Sequence, residues 1–259
     1  DPAARLLCGL AGRGARAVDA APADTDAARP AGGSEVNVAD RTAGAPTAAP
    51  ADEAVWTDAS TRRAAAGSRW TSRFDARLAG QPLGLRAGLQ CLAFPGIGCY
   101  VMRGQRLYLA IRCGEIGLAG LGAHAHCDQL AIELVIDGET RVRDPGTYLY
   151  TALPERRNAY RSVAAHHAPR VAGREPADLS RHLFDLRGAA EGQCLYFGPR
   201  GFVGRHAGYG PFVYRMIEIA DDAVVVHDFA DGGLVLTDPT PEPLPFSPAY
   251  GRLVESLPR

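Results

Sequence analysis

Four of the seven histidines fall in two short runs, His124-Ala-His126 and His166-His167, with Asp144 between them. On an extended segment, residues i and i+2 point to the same side, so His124 and His126 are expected to share a metal or a substrate. Asp144 ends the next expected strand, where Pro145-Gly146 turns the chain, and hairpin pairing would bring its carboxylate near that face. His166 would be a third donor. His126, Asp144 and His166 then make an N/N/O set suited to Zn²⁺, with a fourth position for water or another group. Asp-Pro-Gly on its own is usually only a turn, and a lone His-x-His pair is more often exposed or core than a ligand. What gives the set weight is its arrangement around one hairpin. Cys127 sits between His126 and Asp128, but neighbours on a strand face opposite sides, so a thiol dyad is not expected and a buried, inert Cys is. His182, His206 and His227 are isolated and receive no role.

Such residues need a frame, and from Leu92 onward the sequence reads as short β-branched and aromatic runs separated by Gly, Pro and Asp turns. Expected strands are 99–103, 107–113, 129–137, 140–144, 168–171, 194–198, 202–208, 213–220 and 223–229. In residues 129–136, Leu130, Ile132, Leu134 and Ile136 alternate with Gln129, Ala131, Glu133 and Val135, the period-two pattern of a strand with one buried face. Asp137-Gly138 makes the hairpin turn. The fold class is therefore mainly β, an antiparallel sandwich over residues 91–235. Residues 1–90, rich in Ala, Pro, Asp and Arg, read as a partly disordered linker, with short helices near 3–17 and 57–67 where Trp56 and Trp70 could dock on a surface. Residues 236–259 read as an irregular tail.

Composition narrows the function. The chain has 259 residues, 46% hydrophobic, enough for one sizeable core. A net charge of -1 argues against a generic nucleic-acid or anionic-membrane partner. All 28 basic residues are Arg, which removes a phosphate-loop lysine, a Schiff-base lysine and a lysine general base. Six scattered Cys without a CxxC pair indicate neither a zinc ribbon nor a disulfide framework. No apolar run is long enough for a membrane span. The Gly114, Gly117, Gly120, Gly122 series leads into His-x-His and a strand rather than a helix, so it is not a dinucleotide fingerprint.

Taken in order, 122–130 (Gly-Ala-His-Ala-His-Cys-Asp-Gln-Leu), 144–148 (Asp-Pro-Gly-Thr-Tyr), 157–162 (Arg-Asn-Ala-Tyr-Arg-Ser) and Ala165-His166 resemble the signature of the heparinase II/III C-terminal domain. The resemblance spans about residues 92–230 and lies in four motifs in sequence. It implies a bacterial polysaccharide lyase in which an N-terminal α/α toroid precedes antiparallel sheets, acting on uronic-acid polymers such as heparan sulfate or alginate. Carried over by position, it implies that His126, Asp144 and His166 hold a structural Zn²⁺ and that His124 faces the catalytic cleft. It further implies that residues 1–90 include a remnant of the toroid domain, that the toroid supplies the rest of the active site, and that the protein works in the periplasm or cell envelope. Val163 and His167 stand where the family usually has Thr and Asn, so the choice between His166 and His167 as ligand stays open.

The implied reaction is β-elimination, in which a base takes the weakly acidic C5 proton and the leaving O4 oxygen is protonated. Histidine suits the base, its ordinary pKa lying near neutrality, and His124 is the candidate. Arg157 and Arg161 are candidates for binding substrate carboxylate or sulfate, and the plainer reading, a structurally paired role, stands beside it. Without a toroid the fragment is expected to be inactive. Two other functions remain: a non-catalytic, metal-stabilised carbohydrate-binding sandwich, and a cupin-like metalloenzyme. The cupin pattern places a Glu four or five residues after the second His, whereas Glu133 is seven away.

Overall fold

The computed structural model describes residues 51–254 apart from 79, 118–119 and 187–189. Its elements run α1 (Glu53–Ala65), β1 (Arg69–Asp75), β2 (Gln90–Phe94), β3 (Cys99–Arg103), β4 (Leu107–Arg112), β5 (Ile132–Ile136), β6 (Glu139–Val142), α2 (Pro154–Arg161) and β7 (Arg170–Val171). They continue with β8 (Gln193–Gly198), β9 (Gly201–His206), β10 (Val213–Ile219), β11 (Ala223–Ala230), β12 (Leu236–Thr237), β13 (Phe246–Ala249) and β14 (Arg252–Val254). Two five-stranded antiparallel sheets result, ordered β2-β3-β4-β5-β6 and β1-β11-β10-β9-β8, with small pairs β7–β12 and β13–β14 beside them.

Alternation in the strands builds the sandwich. Tyr100, Met102, Leu109, Ile111, Leu134 and Ile136 of the first sheet meet Phe197, Phe202, Ile217, Ile219, Val224 and Val226 of the second in one buried cluster. Each such side chain stabilises the fold by roughly 1.5–3 kcal/mol. The outer face of the second sheet is also apolar, and α1 covers it: Trp56 and Ala59 pack on Val203, Tyr214, Met216 and Phe229. Asp52 caps that helix by accepting the Ala54 N–H, and Arg62 and Arg63 end it, matching the helix dipole.

Three expectations change. Part of the linker span folds: α1 covers the second sheet and β1 forms its edge, hydrogen-bonded along β11 from Arg69 to Asp75. β1 escaped notice because an edge strand facing water carries little apolar alternation; its residues are mostly exposed. The helix expected at 3–17 lies outside the described residues. The tail is partly ordered, since β12 pairs with β7, β13 pairs with β14, and Ser247 donates its N–H to the Pro145 carbonyl at 2.8 Å. Finally, residues 120–131 form a loop, not a strand. Gly120, Gly122 and even Leu130 have positive φ, which an extended strand does not permit.

The described cysteines are free. Among the described residues no helix is long and apolar enough to cross a membrane.

Candidate functional site

The histidine loop runs from β4 to β5 and is held at several points. Gln129 bonds both backbone groups of Gly114, accepting at 3.2 Å and donating at 2.7 Å. Gly122 lies so close to Ile116 and Leu186 that a Cβ would meet them at 2.5 and 2.9 Å. From the second sheet, the buried Arg215 pairs with Asp228 through Nε at 2.7 Å and Nη2 at 2.6 Å. Its remaining Nη1 donates to the carbonyls of Leu130, at 2.8 Å, and His167. One guanidinium thus ties the end of the histidine loop to the residue after His166.

Because the loop is not extended, His124 and His126 do not share a face. His126 is buried and His124 exposed. His126 Nε2 accepts from Arg157 Nη1 at 2.8 Å, and its ring centroid lies 5.3 Å from that of His166. His166 Nδ1 meets Asp144 Oδ2 at 2.5 Å, while Asp144 Oδ1 accepts the Gly146 N–H at 2.8 Å. His126, Asp144 and His166, far apart in sequence, therefore come together. His167 turns away; it lies across from Phe74, ring centroids 5.8 Å apart, which makes His166 the member of the pair that belongs to this cluster.

Charge in the cluster is finely set. Burial, then His166 and Arg157, hold His126 well below the ordinary histidine range. Burial also pushes His166 down, but Asp144 and the more distant carboxylates Asp128 and Glu175 outweigh it and the net shift is upward. Arg157 is depressed to about 10 by burial and then by Arg161, and its Nε and Nη2 are buried without a partner. So is Nε2 of His166. Asp128, which received no role from the sequence, is within electrostatic reach of His166 and Asp144, and burial raises its pKa.

Metal fit can be judged from these atoms. Among the described residues no group of three or more His, Cys, Asp or Glu already surrounds a common point. The donor chemistry nevertheless suits zinc: two imidazoles and a carboxylate, with an orphaned buried nitrogen on His166 and a lone pair on His126 that a guanidinium holds. His126 Nε2 can serve Arg157 or a metal, not both at once.

The two arginines separate. Arg161 is sealed in and fully engaged, with Nε on Asn158 Oδ1, Nη1 on the Leu183 carbonyl and Nη2 on the Leu179 carbonyl. Its guanidinium fixes the 179–183 loop, which favours the structurally paired reading that stood beside substrate binding for Arg161. Arg157 lies over the ring of Tyr150 at 5.2 Å and keeps free donors. Cys127 is buried and its thiol pKa is raised by that burial.

His124 stands on an aromatic platform missed in the sequence. Its ring meets Tyr150 at 5.5 Å and Phe184 at 5.8 Å, and Tyr150 also meets Tyr250 at 5.3 Å. Tyr250 is 61% exposed. These residues come from three separate loops, so no local pattern joins them.

The family described as Heparinase II/III-like, C-terminal matches residues 87–232. Among solved structures the chain is similar to "Heparinase III-BT4657 gene product, Methylated Lysines", with TM-score 0.41 and 17% identity over 53% of this chain and 21% of that one. It is also similar to "Crystal Structure of Heparinase III", with TM-score 0.43 and 14% identity over 55% of this chain and 23% of that one. The chain spans less than a quarter of the length of these structures. No curated protein matches it.

Proposed function

This chain belongs to the heparinase II/III-like family through its residues 87–232, and on that premise we propose that it forms part of a polysaccharide lyase cleaving uronic-acid polymers, heparan sulfate-like or alginate-like, by β-elimination. The observation that carries the proposal is the buried His126–Arg157 and Asp144–His166 cluster beside an exposed His124. A lyase of this kind removes the C5 proton, the freed electron pair forms the C4–C5 double bond, the C4–O4 bond breaks, and O4 is protonated. His124, exposed and flanked by Tyr150 and Phe184, is the chain's candidate base, and the aromatic faces beside it can stack on sugar rings. Arg157, with two unpartnered donors, is the candidate to meet the substrate carboxylate once it leaves His126.

His126, Asp144 and His166 would hold zinc. The ion would supply a fixed positive charge that draws the 122–130, 143–150 and 162–167 segments together, a structural role, since elimination needs no water nucleophile. The acid and much of the cleft would come from a preceding α/α toroid, so the chain alone should be inactive. By the same family resemblance, the proposed site of action is the periplasm or cell envelope.

A second reading, a non-catalytic carbohydrate-binding sandwich, draws on the same aromatic platform, which can hold a polymer without cutting it. The deciding experiment joins this chain to an α/α toroid of the family and offers heparan sulfate and alginate. Near-ultraviolet absorbance from unsaturated uronate ends, lost in His124→Ala, supports the lyase. Retention of polymer with no shortening and no chromophore supports the binding module instead.

A further inference from the structure

A second concave site lies beside the first cluster, its lining including Arg143 and Pro145 on either side of Asp144 and Ala165 and His167 on either side of His166. The edge strand β1 of one sheet and the edge strand β6 of the other leave a cleft of about 560 Å³ between them, roofed by the segment from Asp238 to Phe246. That volume falls in the range of small-ligand sites. Arg141 and His167 line it: Arg141 Nε makes no hydrogen bond but lies 3.8 Å from Glu139 Oε2, its Nη2 donates to the Asp75 carbonyl at 3.0 Å, and His167 Nδ1 is buried without a hydrogen-bond partner. His167 is the histidine that turned away from the first cluster, and it is more than nine-tenths buried. Both atoms are sealed beneath the surface, so what a ligand meets is the set of side chains that the cleft exposes.

The rest of the lining says what kind. Arg73, Arg141 and Arg143 bring three guanidinium groups to the cleft. Arg73 is tied only to the exposed carboxylates Asp75 and Asp222, bonds that exchange cheaply with solvent. Arg143 makes no ion pair among the described residues and instead lies over Phe246, 5.1 Å from the ring centroid. Asp238 and Glu242 oppose these cations from the roof. A phosphate-like dianion would be repelled by that pair, whereas a sugar offers hydroxyl groups for carboxylates to accept. Trp70, 37% exposed, and Phe74 add flat apolar faces of the kind on which a pyranose ring packs.

We propose that the β1–β6 cleft binds one or two rings of an acidic saccharide, its carboxylate or sulfate on Arg141 and Arg143, its hydroxyls on Asp238 and Glu242, and a ring face on Trp70. The site would hold a stretch of polymer next to the histidine cluster and lengthen the contact with an extended chain. It rests on the reading above only for the nature of the polymer.

The test reads binding rather than cleavage, so it can fail while the lyase reading stands, and the reverse. The chain is titrated with glucuronate, a glucuronate-containing disaccharide, glucose and inorganic sulfate, followed by calorimetry and by the ¹⁵N resonance of His167. Saturable binding of the disaccharide, or of glucuronate itself, with glucose and sulfate much weaker, is expected. Preference for the disaccharide marks a polymer fragment as the ligand, and equal affinity marks the free monosaccharide. Arg143→Ala and Trp70→Ala, both at exposed side chains, should each weaken it about tenfold, while Arg62→Ala on α1, away from both sites, leaves it unchanged. Absence of saturable binding overturns the proposal, as does sulfate binding as well as the saccharide does, or binding that Arg143→Ala and Trp70→Ala both leave intact.

Discussion

His206 is sealed inside the sandwich, and its Nδ1 accepts the Gly208 N–H at 3.1 Å. Burial, aided by Arg215, pushes its pKa down to about 4. An unfolded histidine protonates near 6.5, so between about pH 6.5 and 4 the unfolded chain binds the extra proton and the folded one does not. The stabilising contribution is whole above that window and is lost as pH falls through it, by at most about 3 kcal/mol. Denaturation across this window should therefore show a shallower pH dependence in His206→Gln than in the parent; equal slopes would contradict the assignment. A second buried group has a larger role. Replacing Arg215 with Met strands Asp228 and releases the carbonyls of Leu130 and His167, and the expected loss is about 3–5 kcal/mol in urea denaturation. The histidines were legible because their types and spacing advertise chemistry. Arg215 was not, because in sequence it is one charged residue within an apolar strand, and only the antiparallel register that sets it opposite Asp228 reveals the pair. The fates of Arg157 and Arg161 were equally hidden, since both lie on α2 and only the fold sets one against His126 and Tyr150 and the other against the Leu179 and Leu183 carbonyls.

Elements carry a different lesson. The strands that form the sandwich interior could be read almost to the residue, as at Cys99–Arg103, because period-two alternation reports a buried face. β1 could not, since its alternation is set by an edge position. The loop at 120–131 could not either, since apolar residues next to a true strand extend the pattern falsely; the positive φ of Leu130 ends it. Turn chemistry, by contrast, was explicit. Gly146, with φ 83°, follows Asp144-Pro145, and a Cβ there would meet the Ser247 carbonyl oxygen at 2.4 Å. Gly146→Ala should cost about 1–3 kcal/mol through the strained φ alone, more with the clash. It should also unseat Asp144 from His166, which a change in the His166 ring resonances would report. An alanine variant as stable as the parent, with those resonances unmoved, would show that the turn does not hold the carboxylate.

At the scale of the whole molecule, two sheets, a covering helix and three converging loops place a buried N/N/O set beside an exposed histidine and an aromatic platform. The four sequence motifs pointed to this domain, and the family match over residues 87–232 agrees with them. Neither could show that Arg157 lies against His126, where a guanidinium holds the lone pair that a metal would need. The central claim is that zinc takes that lone pair. Elemental analysis of the purified chain, repeated on His126→Ala and Asp144→Ala, tests it most directly. Near-stoichiometric zinc that disappears in both variants is the predicted result; a well-folded parent chain that takes up no zinc when it is supplied would contradict it.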